Sequence, residues 1–390
     1  MTRITIIVIL ALLLPDLYIY FVHIFRKGCK RKWQLLYWLP TVIILAVYTY
    51  YIGMSGENTL AHHVNGIGRL AIATILFAAS KITFVLCSLV GVIVHLLIRC
   101  CPRKPFNLVG IAAGSLVFGC TLYGATIGVS NFEVKEVSYT SSRLPVGFEG
   151  YRVLQISDLH LGSWIGSEKK IEKLVSLINK QQSDVILFTG DLVNQRSSEL
   201  HQEFQSILSH LHAPHGVYSV LGNHDYGDYY SWPSPQAKSD NMQQLLQAQA
   251  AMGWQLLNNE HRFLHHRGDS IALIGVENDG EPPFSQHARL SEAIQGTEGI
   301  FSILMSHNPT HWRREVLSQT DIDLMLAGHT HAMQSVLFGR SLAELKYPEW
   351  RGFYYEGEQA LYVNVGIGYV GLPFRFGANP EITVITLHRK

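Results

Sequence analysis

Long apolar runs dominate the chain up to about Val129, whereas short apolar strings alternate with polar segments from Ser130 onward. Four of the early runs have about the 20 mostly apolar residues that a helix needs to cross a bilayer. These runs cover residues 4–25, 33–51, 70–98 and 108–129. They lack the polar face of an amphipathic helix, and the three spans after the first argue against a cleaved signal peptide. The pattern predicts an all-α, four-helix transmembrane bundle.

The basic residues of the short loops predict the orientation of this bundle. In multi-pass proteins the short loops that are rich in lysine and arginine lie on the cytoplasmic side. The loops after the first and third predicted spans contain Arg26, Lys27, Lys30, Arg31, Lys32, Arg99, Arg103 and Lys104. The opposite side has only Arg3 and Arg69. We therefore expect a multi-pass protein of the cell membrane whose residues after Val129 are extracytoplasmic.

Two ionisable residues interrupt the predicted spans, Asp16 in the first and Lys81 in the third. In the predicted topology each lies about 17 Å from the outer end of its helix, at a rise of about 1.5 Å per residue. A single charge at that depth is costly, and a partner of opposite charge at the same depth lowers the cost. We hypothesise that Asp16 and Lys81 form an ion pair that fixes helix packing. The alternative is that Lys81 reaches the membrane surface while Asp16 faces water or is protonated.

The second half of the chain has the pattern of an α/β domain. Buried strands at 151–158, 184–190 and 216–221 alternate with helices at 167–180, 199–211 and 239–252. Shorter strands follow at 254–257, 261–265, 270–276, 300–305 and 323–326, with a helix near 311–317 and a terminal pair at 361–365 and 382–387. Alternating strands and helices followed by meander-like strands predict a layered α/β sandwich. We expect a transmembrane domain at 1–129, a linker or first edge strand at 130–150, and the α/β domain at 151–390.

The net charge and the positions of the cysteines limit the partners and metal ligands that are possible for this second domain. The net charge of +1 gives no reason to expect a nucleic acid as a partner. All the cysteines precede Val129, namely Cys29, Cys87, Cys100, Cys101 and Cys120. Disulfides and thiolate metal ligands are therefore excluded from the α/β domain.

Polar side chains collect where the predicted strands of the α/β domain end. The clusters contain Asp158, His160, Asp191, Asn223, His224, Asp225, His307, Asn308, His329 and His331. Because ligands bind at the carboxyl ends of strands in open α/β sheets, these loops can converge on one site. Imidazole and carboxylate donors without thiols suit Mn, Fe or Zn. The donors suffice for two divalent ions, which can clamp the attacking and leaving oxygens of a phosphoryl transfer.

The clusters read, in chain order, D-x-H, G-D, G-N-H-D, H and G-H-x-H. This order and spacing resembles the calcineurin-like metallophosphoesterase family, from about Tyr151 to the end of the chain. The strings ISDLHLG at 156–162 and GLPFRFGANPEIT at 371–383 are similar to its exported, membrane-linked branch. The resemblance implies a calcineurin-like α/β sandwich that acts on phosphodiester or pyrophosphate bonds, in some members of lipid-related molecules.

The same resemblance implies which side chains bind metal. A first ion would take its ligands from the first and last motifs, a second ion from the last three, and one carboxylate would be shared. The ligands of the first ion would be Asp158, His160 and His331, the shared carboxylate Asp191, and the ligands of the second ion Asn223, His307 and His329.

Two further residues of the motifs would act on the substrate. His224 would protonate or polarise the leaving group, and Asp225 would orient the His224 imidazole. A hydroxide that bridges the two ions would be the nucleophile.

We therefore expect a membrane-anchored two-metal phosphoesterase for a phosphorylated small molecule or lipid, hydrolysing a phosphodiester, phosphomonoester or pyrophosphate bond. A lipid-linked substrate is suggested only by the predicted attachment to the membrane. The alternative is a membrane sensor or scaffold whose phosphoesterase fold binds a phosphorylated ligand without turnover.

Two features of the sequence leave alternatives open. Arg375 lies in a Gly/Pro-rich segment, where its guanidinium can bind phosphate or form a salt bridge to the sheet. The aromatic segment at 226–232 directly follows the G-N-H-D motif. It can form a wall of the substrate cleft, dip towards lipid headgroups, or simply pack within its loop.

Overall fold

The computed structural model describes residues 3–54 and 64–390. The chain folds as two units, each with its own interior. The helical unit comprises Met1–Ile127 together with Gly371–Phe374, and the sheet unit comprises Gly128–Val370 and Arg375–Lys390.

The described residues of the helical unit form four long helices. Helix α1 spans Arg3–Ile19 and continues as a π-helix over Tyr20–Phe25, α2 spans Arg31–Gly53, α3 spans Val64–Leu97, and α4 spans Lys104–Thr126. All four are long and apolar enough to cross a membrane. The four predicted spans are thereby confirmed, although α3 begins earlier than predicted and includes Arg69.

The ion pair expected inside this unit is present. Lys81 Nζ lies 2.5 Å from Asp16 Oδ1, and the Asp16 side chain is fully buried. The carboxylate also accepts hydrogen bonds from the Tyr37 hydroxyl at 2.7 Å and from the Thr41 hydroxyl at 2.5 Å. Residues of α1, α2 and α3 therefore meet at one buried carboxylate, as a charge in an apolar environment requires.

We expect the variant Lys81→Leu to lower the free energy of unfolding of the helical unit by about 3 kcal/mol, because it leaves the buried Asp16 carboxylate without its counter-charge. The double variant Asp16→Asn/Lys81→Leu should recover most of this loss, since a neutral amide needs no cation. Denaturant unfolding of the full chain in detergent micelles measures both variants. Equal destabilisation of the single and double variants would show that the pair is not what stabilises the packing.

The sheet unit contains two six-stranded sheets. The first has the order β1-β12-β2-β3-β4-β5, and its strands are β1 Glu133–Ser141, β2 Arg152–Ile156, β3 Val185–Phe188, β4 Val217–Ser219, β5 Trp254–Leu256 and β12 Glu381–Arg389. The second has the order β10-β11-β9-β8-β7-β6, and its strands are β6 Glu260–His266, β7 Asp269–Gly275, β8 Ser302–Met305, β9 Leu324–Ala327, β10 Gly352–Glu356 and β11 Gln359–Val363.

The two sheets pack face to face with helices on the outside. Alternate residues of β2 show this, because Val153 packs between the sheets whereas Leu154 packs under the helices. The outer face of the first sheet is covered by α5 Glu168–Asn179, α6 Gln202–Leu208 and α7 Pro235–Ala251. The second sheet is covered by the short α8 Leu290–Ala293 and a π-helical turn at Trp312–Val316. This arrangement confirms the predicted α/β sandwich.

The connections of the second sheet differ from the prediction. The strands β7, β8, β9 and β11 run parallel rather than as a meander, and only the pairs β6–β7 and β10–β11 are antiparallel. The segments between the parallel strands are long enough for crossovers, which parallel neighbours require. Strand β10 was not predicted. The expected terminal pair is wrong as well, because β11 belongs to the second sheet and β12 to the first.

Candidate metal centre

The predicted site residues follow strands that run in parallel within each sheet. Strands β2, β3 and β4 are parallel neighbours, and so are β8 and β9. Hydrogen bonds tie the loops after them together. The Asp158 N–H donates to the Gly190 carbonyl at 2.9 Å, and the His160 N–H donates to the Asp191 carbonyl at 3.1 Å. The loops of different strands are thereby fixed against one another at the carboxyl ends of the strands.

These loops place several proposed ligands in the left-handed region of backbone conformation. The φ angles are 54° at Asp158, 47° at His160, 61° at Asp191, 71° at His329 and 49° at His331. For residues with a Cβ this conformation costs about 1 kcal/mol or more each. Such strain is concentrated at functional sites, where the surrounding structure holds it in place.

The first group of donors is Asp158, His160 and His331. Nε2 of His331 lies 3.2 Å from Asp158 Oδ1 and 3.1 Å from Nε2 of His160. Metal–nitrogen bonds are about 2.1 Å long, so two nitrogens bound at a right angle lie about 3 Å apart. The two imidazole nitrogens therefore have the separation of neighbouring ligands of one ion.

The second group is Asp191, His307 and His329. Nε2 of His307 lies 3.2 Å from Asp191 Oδ2 and 3.2 Å from Nδ1 of His329. The same Asp191 oxygen lies 3.5 Å from Nε2 of His160, which belongs to the first group. Asp191 therefore stands between the two groups, where a shared carboxylate is required.

The proposed ligand Asn223 also fits a metal. Its amide Nδ2 donates to the Tyr229 hydroxyl at 2.8 Å. Its buried Oδ1 has no hydrogen-bond partner among residues 3–54 and 64–390. A buried amide oxygen without a partner is unfavourable, and a cation at the second group would satisfy it. The donor set of carboxylates, imidazoles and one amide oxygen therefore fits two divalent ions.

Electrostatics within the site favour ionised carboxylates. Burial opposes ionisation of Asp158 and Asp191, yet the nearby imidazoles of His331 and His307 hold the pKa of each carboxyl below its ordinary value. Burial also lowers the pKa of His307, but the Asp191 carboxylate outweighs it and raises that pKa to about 9. Burial and His307 together lower the pKa of His329 to about 3, which leaves its imidazole neutral. Anionic carboxylates and neutral imidazoles are the forms that bind metal, so His307 has to release its proton when an ion binds.

His224 lies beside both groups of donors. Its backbone N–H donates to Asp191 Oδ1 at 2.9 Å, and its ring centroid is 4.8 Å from that of His160. Its Nδ1 lies 2.6 Å from the Asn194 carbonyl oxygen, which can only accept a hydrogen bond. The proton of the neutral ring is therefore held on Nδ1.

The expected role of Asp225 is wrong, because its carboxylate does not orient the His224 imidazole. Asp225 is buried and accepts hydrogen bonds from the backbone N–H groups of Asp191, Leu192, Val193 and Gly222. Successive N–H groups of a loop make a concave site that attracts a carboxylate. Asp225 thus holds the loop that presents Asp191, and the Asn194 carbonyl orients the imidazole in its place.

Neither alternative for Arg375 is observed. The side chain is fully buried, and its guanidinium donates to the backbone carbonyls of Val365, Gly368 and Ala378. Its Nη2 also lies 3.0 Å from Nδ1 of His331. Arg375 therefore fixes the loop behind a proposed ligand, with its charge directed at carbonyl oxygens and not at a substrate.

Aromatic side chains border the two groups of donors. The ring centroid of Tyr229 lies 4.5 Å from that of His224, and nearly half of the surface of Tyr229 is exposed. The Tyr347 hydroxyl lies 2.9 Å from Nε2 of His329, and the Phe284 ring meets the His329 ring edge-on at 4.6 Å. Sequence reasoning missed Tyr347 and Phe284, because both lie in loops remote from any motif.

A third cluster of possible ligands contains Asp279, His311 and Glu315. It differs from the others because Nη2 of Arg314 lies 3.3 Å from Asp279 Oδ1 and 3.1 Å from Glu315 Oε1. A cation is therefore already present between the two carboxylates, and the cluster is an ion-pair network.

A two-sheet α/β sandwich with two adjoining groups of buried imidazole and carboxylate donors defines a metal-dependent phosphoesterase. Comparison with known families agrees, since the model described as calcineurin-like phosphoesterase matches residues 151–333. A second model, described as the transmembrane domain of a probable calcineurin-like phosphoesterase, matches residues 2–129. The chain belongs to the calcineurin-like phosphoesterase family and is a multi-pass membrane protein. Members of this family use a binuclear metal centre.

Several curated proteins are similar to this chain. The uncharacterized metallophosphoesterase YkuE of Bacillus subtilis is 32% identical over 297 residues, which cover 70% of this chain and 94% of that protein. A transmembrane protein with metallophosphoesterase domain from Danio rerio is 31% identical over 68% of this chain and 60% of its own length. Among solved structures, NAD nucleotidase of Haemophilus influenzae is 17% identical with a TM-score of 0.36, over 56% of this chain and 45% of that one.

We expect Asp191→Asn to reduce bound Mn²⁺ from two ions per chain to one or none, because the shared carboxylate loses its charge. The metal-stripped full chain is loaded with Mn²⁺, dialysed and measured by elemental mass spectrometry. Asp279→Asn is the matched control and should leave the content unchanged, since Asp279 pairs with Arg314. Unchanged metal content in Asp191→Asn would exclude the bridging role, and a loss in Asp279→Asn would make the third cluster a metal site.

Proposed function

We propose that the chain is a membrane-anchored hydrolase that cleaves a phosphodiester, phosphomonoester or pyrophosphate bond at two divalent ions. The observation that carries this proposal is the position of Asp191. One of its oxygens lies 3.2 Å from His307 and 3.5 Å from His160, which belong to different groups of donors. A carboxylate shared in this way would hold both ions of a two-metal site, which act together on one phosphoryl group.

The proposed ligands divide between the two ions as the donor groups do. Asp158, His160 and His331 would hold the first ion, and Asn223, His307 and His329 the second, with Asp191 shared. Bound Mn, Fe or Zn ions supply an activated water as nucleophile and neutralise charge on the phosphoryl oxygens. Burial of the carboxylates keeps bulk water from competing with them for the ions.

His224 is the residue that we propose moves a proton. The Asn194 carbonyl keeps one ring proton on Nδ1, so His224 would protonate the leaving group from Nε2 when that nitrogen carries a second proton, and the neutral ring would remain. Tyr229 packs on one side of this imidazole and limits its rotation. Asp225 contributes indirectly, by fixing the backbone of the Asp191 loop.

Attachment to a membrane supports a substrate that resides there. Four apolar helices anchor the chain, so the metal centre is tethered to a bilayer at all times. A lipid-linked phosphate ester or pyrophosphate is therefore the substrate class that we favour. The distribution of basic residues in the loops supports an extracytoplasmic sheet unit.

We expect the full chain, purified in nanodiscs, to hydrolyse a generic aryl phosphodiester, a phosphomonoester or a phospholipid after stripping with chelator and reloading with Mn²⁺. Asp191→Ala should abolish turnover. His224→Ala should lower kcat by about 10²-fold or more while the metal content is unchanged, because only the proton transfer is lost. The control Asp279→Asn should retain activity. A chain with two bound metals that turns over none of the panel would favour a sensor or scaffold.

We expect a reporter fused after Arg31 to be cytoplasmic and a reporter fused to the C-terminus to be extracytoplasmic. This follows because the loops rich in lysine and arginine remain in the cytoplasm. Paired enzymatic reporters, one active only in the cytoplasm and one only outside it, measure both positions. A cytoplasmic C-terminus would reverse the proposed orientation.

A further inference from the structure

A cluster of large apolar side chains lies on the surface directly after the last metal-ligand motif. Within residues 333–345, here called the apolar segment, Phe338 is fully exposed, and Leu345 and Leu342 are 86% and 70% exposed. Met333 and Leu337 are more than half exposed as well. Soluble surfaces rarely present so many large apolar side chains together, and such patches mark interaction sites.

The apolar segment has a defined structure. The Leu337 and Arg340 backbones exchange hydrogen bonds of 2.9 and 3.0 Å around a two-residue turn, Phe338–Gly339. Both turn residues have positive φ, as in the tight turns of hairpins. The 3-10 helix that follows at Leu342–Leu345 begins with a capping box made by Ser341 and Glu344. These hydrogen bonds fix the backbone that carries the exposed side chains.

In this segment the smaller apolar side chains are buried and the larger ones are exposed. The smaller residues Val336 and Ala343 pack inward against Tyr347 and Trp350, whereas the large leucine and phenylalanine side chains are exposed. Phe338 has a φ of 51°, a conformation that glycine or asparagine adopts more readily. Folding in water does not explain an exposed phenylalanine at this position.

The segment adjoins the metal centre at both of its ends. It begins two residues after His331, a proposed ligand of the first ion. It ends two residues before Tyr347, whose hydroxyl lies 2.9 Å from Nε2 of His329. The segment is thereby joined at both ends to residues of the metal centre.

The charged residues beside the segment and the membrane helices of the chain favour a lipid bilayer as the partner of the segment. Arg340 and Lys346 flank the apolar side chains, and their side chains are 82% and 52% exposed. Their ion pairs with Glu344 and Glu281 lie at the surface, where such pairs contribute little and exchange readily for another anion. Basic residues around an apolar surface favour anionic lipid headgroups. The chain is itself a multi-pass membrane protein, so a bilayer is always within reach.

We propose that the apolar segment inserts into the boundary between headgroups and acyl chains of an anionic bilayer and there delivers lipid phosphoesters to the metal centre. Phe338, Leu342 and Leu345 enter the acyl region, and Arg340 and Lys346 contact headgroup phosphates. The delivery of substrate rests on the function proposed above, whereas the insertion does not.

Photocrosslinking of the metal-loaded full chain tests the insertion. The chain is placed in nanodiscs of phosphatidylcholine and phosphatidylglycerol that contain a phospholipid with a diazirine in its acyl chain, and the adducts are mapped by peptide mass spectrometry. We expect adducts within residues 333–345 in addition to those on the four spans. The strand residues Phe353 and Tyr355, which are partly exposed on the same unit, are the internal control and should carry none.

A pair of variants separates insertion from chance contact. Phe338→Ser/Leu345→Ser should lower the adduct yield on the segment by about tenfold, because two apolar anchors are lost. Tyr355→Ser should leave that yield unchanged. Metal content and the unfolding transition show that each variant is folded. In the same preparations, hydrolysis of a bilayer phospholipid should fall in the double variant while hydrolysis of a soluble aryl phosphodiester persists.

The outcomes distinguish the two proposals. Adducts confined to the spans would overturn the insertion. If wild-type chain inserts but cleaves no substrate, the insertion stands and the proposed hydrolysis fails. If the soluble phosphodiester is cleaved and the segment carries no adduct, the hydrolysis stands and the insertion fails.

Discussion

The arrangement of the loops in the sheet unit depends on one buried carboxylate, which lies between two sets of imidazoles. Asp191 contacts a histidine of each group through one oxygen and the His224 backbone through the other. Its own N–H is held by Asp225, and its carbonyl accepts from His160. Two sheets must therefore present their strand ends to the same point, and the loops accept left-handed backbone conformations in order to do so.

Local patterns in the sequence were sufficient for much of this structure. The four spans and the strands β2, β3 and β4 were predictable because continuous apolar runs are local signals. The pairing of strands was not, since β12 lies between β1 and β2 although it is last in the chain. Strand β10 was missed because its short, half-exposed sequence carries neither a buried run nor a clean alternation.

The candidate site shows a similar division. The motif residues Asp158, His160, Asp191, His307, His329 and His331 were predicted from the sequence and come together in space. The direction in which a side chain points was not predictable from its neighbours in sequence. Asp225 follows His224 directly, yet it faces the backbone of another loop, because four N–H groups there outweigh one imidazole. Arg375 likewise donates hydrogen bonds to carbonyl oxygens of its own loop, and no sequence motif predicts these bonds. The exposure of the apolar segment could not be predicted from the sequence either, since leucine and phenylalanine in a loop are usually expected to be buried.

The buried ion pair of the helical unit has a consequence for the order in which the protein is made. Asp16 belongs to the first span, and its counter-charge Lys81 belongs to the third. Until α3 has left the ribosome, α1 carries an acidic group that the hydrocarbon region disfavours. The first span therefore becomes more stable in the bilayer once the third is present. Integration of α1 into the membrane is thus favoured by the later arrival of α3, which supplies the counter-charge.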